Sequence, residues 1–188
     1  VMLSERFGLD PELRARCAEQ LANLPDPSLG HWNTDGAIDN TLDVYAPAAA
    51  MGDPRRISNF ENPALYRVFP FDLSGIGAED YSLSVRTFEH RIFPLAEGWS
   101  LDAVWAARLG LHDQACELLG EHTKKWNRFR YGGWDSGNSR VFPDNLAVVP
   151  YTDAPGVACY ALHEILLQSH ANAIRILPAI ASDWSGIF

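Results

Sequence analysis

Sulfur is scarce in this 188-residue sequence, which holds three cysteines and two methionines. Cys17, Cys116 and Cys159 are widely spaced and each falls within a helical pattern. They read as reduced, buried small hydrophobes rather than as a disulfide framework or metal ligands. Basic residues are few: 15 Lys and Arg against 24 Asp and Glu leave a net charge of −9, and no run gathers several on one face. Without that footprint for neutralising phosphates, nucleic acid is set aside as a partner. Apolar runs are short, none approaching the roughly 18 residues that cross a bilayer. The N-terminus, Val1-Met2-Leu3-Ser4-Glu5, has no basic region followed by an apolar one. A soluble chain with no membrane partner is expected, and its localisation stays unknown. Phosphate-cradling glycine loops and serine-nucleophile elbows are also missing. His163-Glu164 begins a zinc motif, but its second histidine would stand at Leu167, so neither a metal nor a cofactor is implied.

What is present is a globular composition, 47% hydrophobic, with apolar residues at helical spacing. Leu13, Cys17, Leu21 and Leu24 form a stripe opened by Asp10 as cap and Pro11 at the first helical position, which predicts a helix over 10–24. Leu42, Tyr45 and Ala49 outline another, interrupted by Pro47. Tyr81, Val85, Phe88 and Ile92 predict a helix over 79–92. Leu101, Val104, Trp105 and Leu109 then form one face, Gly110 stops it, and Ala115, Leu118, Leu119 and Trp126 form the next. So short a connection predicts an antiparallel helical hairpin, 100–109 against 113–127. Residues 130–150, with Gly132, Gly133, Gly137 and Pro143, read as a long loop. A last helix is predicted from Pro155 to His170, followed by a short strand at Ile174 and Ile176. The fold class expected is all-α, a single domain over 1–188. Its six or so helices make about half of an α/α-barrel, or else a helical-hairpin bundle.

Three stretches resemble glycoside hydrolase family 95, the α-L-fucosidases and α-L-galactosidases. They are Gly98-Trp99-Ser100 running into Trp105-Ala106-Ala107-Arg108-Leu109-Gly110, then Glu164-Ile165-Leu166-Leu167-Gln168-Ser169-His170, then Ile176-Leu177-Pro178-Ala179-Ile180 with Trp184. The resemblance covers about half the chain and corresponds to the C-terminal half of the family's α/α-barrel. It implies an inverting hydrolase in which Asp153 matches the aspartate that activates an asparagine base. The family's general-acid glutamate and that asparagine would lie upstream of this chain. The sequence departs from the family at Ala154-Pro155-Gly156-Val157, where the family has Gly-Asn-Phe-Gly, and at Ala147, where it has histidine.

Hydrolysis of a glycoside needs a protonated carboxyl for the leaving oxygen and an ionised group to activate water, about 6.5–9.5 Å apart in inverting enzymes. Asp153, just before a helix with Pro155 in its first turn, sits where the helix favours negative charge and suits a base or base-activator; it also suits a plain helix cap. Glu61 and Glu97 are the candidates for a replacement acid, and both also read as surface carboxylates. A sugar ring commonly stacks on an accessible aromatic, for which Trp134 in Tyr131-Gly132-Gly133-Trp134-Asp135 is the first choice. Trp99 and His170 complete the candidate substrate contacts. Two functions fit: a glycosidase acting on a neutral glycoside, or a non-catalytic carbohydrate-binding or assembly module lacking the acid. Half a barrel would also leave apolar helix faces that a homodimer could cover, which sedimentation would report.

Overall fold

The computed structural model describes residues 2–8, 10–24, 28–32, 38–39, 43–45, 62–94, 96, 98–126, 153–182 and 184. The described residues are mainly helical. In chain order they form α1 (Met2–Phe7), α2 (Pro11–Ala22), β1 (His31–Trp32), β2 (Ile38–Asp39), a 3₁₀ helix (Pro63–Arg67), α3 (Tyr81–Glu89), α4 (Asp102–Arg108), α5 (His112–Trp126), α6 (Asp153–Leu166), β3 (Leu167–His170) and β4 (Ala173–Ile176). The strands make two separate antiparallel pairs, β1 with β2 and β3 with β4. No described helix is long and apolar enough to cross a membrane.

α2 starts where its local signals place it. Asp10 takes a left-handed backbone and its Oδ1 accepts a bond from the Leu13 amide at 2.9 Å, while Pro11 fills the first turn. Its apolar stripe is uncovered by the described residues: α2 buries no residue, and Leu13, Leu21 and Leu24 are exposed. The cysteines are outside disulfides, as expected, but the burial expected of them fails: Cys17 and Cys116 are only half-buried and Cys159 is exposed. Tyr45 is not helical but bridges Leu29 across an isolated β-bridge. Residues 46–50, and with them Pro47 and Ala49, lie outside the described residues.

The core is built on α4, every residue of which is buried. α4, α5 and α6 pack on one another, and Leu65, Val68 and Phe88 join Val104, Trp105, Leu109, Ala115 and Ile165 in one apolar cluster. Trp105 is buried as expected, and Leu118 packs on the cluster half-buried. Before α4, the Ser100 hydroxyl and the Arg91 guanidinium both bond the Asp102 carboxylate. After it, Gly110 takes φ +67 against the Ile76 side chain, where a Cβ would stand 3.1 Å from Cδ1. A left-handed turn in close contact is where glycine is required.

α6 ends at Leu166, four residues short of the expected end at His170. Two bonds take the carbonyls that a longer helix would have used: Gln168 Nε2 donates to the Glu164 carbonyl at 3.0 Å, and the Leu177 amide donates to the Leu166 carbonyl at 2.7 Å. The chain then runs into β3, which pairs Leu167 with Ile176 through His170 with Ala173. Ala171 and Asn172, both at positive φ, make the two-residue turn that matches strand twist. β4 confirms the strand read at Ile174 and Ile176, and both side chains point away from the core, 74% and 78% exposed.

One buried group gives the fold a pH dependence. His122 on α5 is 3% exposed, and its Nε2 has no hydrogen-bond partner. Burial holds its pKa below the ordinary 6.5. The unfolded chain therefore takes up this proton first, so the stability is fully present above about pH 6.5 and is lost as pH falls from there toward the folded pKa. Thermal unfolding between pH 7.5 and pH 5.5 should show a falling midpoint, with His122 contributing at most about 1.4 kcal/mol per pH unit. His122→Leu should flatten that slope. An unchanged slope in the variant would mean that the burial of His122 is not its source.

Candidate functional site

A dense polar cluster lies where α4, α6 and the β3–β4 hairpin meet. Arg108, 6% exposed at its side chain, forks onto Glu164, 3% exposed: Nε meets Oε2 at 2.7 Å and Nη2 meets Oε1 at 3.0 Å. Its Nη1 bonds Asp72, whose side chain is 41% exposed, and Nη2 also reaches the Tyr160 hydroxyl at 3.3 Å. The guanidinium stacks over the Phe69 ring at 5.2 Å. Burial pulls the Arg108 pKa down, but the bonds and charge of Glu164 with the charge of Asp72 hold it above its ordinary value. Tyr160 is pushed up by burial and by the negative charge of Glu164. Both ion-pair partners are buried, so each charge is compensated inside the core.

Gln168 extends this cluster to His170. Its amide nitrogen donates to the Ala107 carbonyl at 2.8 Å and to the Glu164 carbonyl at 3.0 Å, which turns Oε1 toward the histidine. His170 Nε2 lies 3.2 Å from that oxygen and must carry the proton, because an amide oxygen only accepts. The neutral ring is then left with Nδ1 as an acceptor. Burial, and secondly the positive charge of Arg108, lower the His170 pKa.

A cleft of about 230 Å³ opens beside this network, lined by Asp72, Gly75, Gly77, His170, Ala171 and Arg175. Asp72, at φ 52, and Gly75, at φ 145, bend the loop sharply. Gly75 comes close to the Arg108 carbonyl, 3.5 Å from where a Cβ would stand. Arg175 reaches across from β4 to the Ile76 carbonyl at 3.1 Å and the His170 carbonyl at 3.4 Å.

The residues singled out in the sequence are dispersed. Asp153 is the first residue of α6 and is exposed. His170 lies beyond the other end of that helix, whose 14 residues span about 20 Å. His170 therefore does not meet the end of a helix, as its sequence position implied; it sits in a strand and bonds the Gln168 side chain. Trp99 is exposed in the turn ahead of α4. Glu61, Glu97 and Trp134 lie outside the described residues, as does the loop over 130–150. Arg108 and Asp72 were not picked out from the sequence. The available signal was a lone arginine inside Ala103-Val104-Trp105-Ala106-Ala107-Arg108-Leu109, a run apolar enough to be buried whole. Among the described residues no group of His, Cys, Asp and Glu is placed to hold a metal ion.

No protein-family model matches this chain, and no curated protein matches it significantly.

Proposed function

We propose that this chain is part of a helical carbohydrate-active domain of the glycoside hydrolase type, acting on a neutral glycoside with Asp153 as base or base-activator. One observation carries the reading: the three stretches that resemble family 95 interlock into a single unit. Arg108 of the first pairs with Glu164 of the second, and Gln168 of the second bonds the Ala107 carbonyl of the first. The third joins through the Ala179 amide to the Ile165 carbonyl at 3.3 Å, with the Ile180 carbonyl 3.1 Å from His112 Nδ1. The three stretches, far apart in the sequence, are thus partners in one packed unit, as expected of a shared folding unit. Asp153 is exposed at the opposite end of α6 from this knot.

Aryl glycosides of neutral sugars, both anomers, test the reading with the full chain. Turnover is expected in wild type and a loss of at least about 100-fold in Asp153→Asn, the scale of an acid–base contribution. Turnover that survives the substitution removes Asp153 from the mechanism. Sugar binding with no turnover by wild type replaces the hydrolase with a non-catalytic carbohydrate-binding module.

A further inference from the structure

We infer that the cleft between the Asp72–Ala78 loop and the β3–β4 hairpin is a second sugar site, distinct from the position of Asp153, which binds one neutral monosaccharide unit. The inference rests on the carbohydrate reading above for its ligand class, and on the cleft itself for place, size and charge. Its volume, about 230 Å³, falls below the roughly 300–1,000 Å³ of pockets that enclose drug-sized ligands. One six-membered ring with its hydroxyls fits such a space, whereas a chain of sugars would have to extend into solvent.

Charge decides against an ionic ligand. Around the cleft Arg108 and Arg175 are balanced by Asp72 and Glu164, and burial keeps His170 on the neutral side. An anion gains from Arg175 what it loses to Asp72, and a cation meets the reverse, so neither sign is selected. A sugar hydroxyl is donor and acceptor at once, and the cleft offers both. The Asp72 carboxylate, on the half-exposed side chain, accepts, as does the neutral His170 ring; the Arg175 fork keeps further N–H groups beyond those given to the Ile76 and His170 carbonyls. These groups are also held in place before any ligand arrives. Asp72 is fixed by Arg108, His170 by Gln168, and Arg175 by two carbonyls, so little side-chain entropy remains to be lost on binding.

The test uses the full chain with glucose, galactose, mannose and fucose at millimolar concentration, followed by saturation-transfer NMR and by the His170 imidazole signal, assigned through its disappearance in His170→Ala. At least one neutral sugar is expected to bind and shift that signal. Arg175→Gln is expected to weaken binding about tenfold or more. Galacturonate, galactosamine and alanine, an anion, a cation and a zwitterion, are expected to bind more weakly. Tighter binding by any of those three overturns the neutral-sugar assignment. Sugar binding that leaves the His170 signal unmoved and is unaffected by Arg175→Gln overturns the cleft but leaves the carbohydrate reading standing. If none of the four neutral sugars binds, the cleft is overturned, and the aryl-glycoside screen decides the carbohydrate reading on its own.

Discussion

Arg108→Met is expected to destabilise the fold by about 3–5 kcal/mol, read as a lowered urea midpoint with an unchanged slope. The cost comes from what remains behind. Glu164 is 3% exposed and receives two bonds from the arginine, so without it a carboxylate is left in the core with its charge uncompensated. The reciprocal change should cost less. Glu164→Leu leaves Arg108 with Asp72, the Tyr160 hydroxyl and the face of Phe69, and the carboxylate of Asp72 is near enough to solvent to keep its charge cheaply. The double variant Arg108→Met, Glu164→Leu removes both charges and fills the space with apolar atoms, an exchange that is often neutral or stabilising. It should therefore be more stable than Arg108→Met alone. A double variant as unstable as the single would show that Arg108 acts through its packing and not through its charge.

That ion pair also marks the boundary of what the sequence made legible. Helix starts and stops were readable where they depend on neighbours a few residues away: Asp10 with Pro11 opening α2, Gly110 closing α4, and the Ile174–Ile176 alternation of β4. The end of α6 was not, because the bonds that stop it come from Gln168 folding back and from Leu177 beyond a hairpin. Partners distant in sequence were equally hidden. Arg108 and Glu164 are separated by 56 positions, and each taken singly is one more charged residue in a helix. For the candidate site, His170 was legible as a residue of interest, but its proton position was not. That follows from the amide of Gln168, whose orientation is set by a carbonyl on α4. Asp153 was legible as a residue just ahead of a helix, which it in fact opens, and that position says nothing of the surroundings of its carboxylate.

Trp105→Ala and Leu21→Ala put the same distinction to a measurement, since both residues belong to apolar stripes of nearly equal regularity. Trp105 is 2% exposed, its ring lies 6.5 Å from that of Tyr66, and its Nε1 donates to the Phe69 carbonyl at 3.1 Å. Truncation to alanine removes the apolar burial and opens a cavity at the centre of α4, a loss of about 3–5 kcal/mol. It also leaves the Phe69 carbonyl without its donor. Trp105→Phe keeps most of the volume and loses the N–H, so its cost should approach the roughly 1–3 kcal/mol of an unsatisfied buried polar group. Leu21 is 59% exposed on a helix that buries nothing, and its replacement by alanine should change stability by no more than about 0.5 kcal/mol in either direction. Periodicity identifies a helix with one apolar face; only the rest of the fold determines whether that face is covered. If Leu21→Ala were to cost as much as Trp105→Ala in urea unfolding, α2 would have to pack against apolar surface in solution, and its stripe would be part of a core after all.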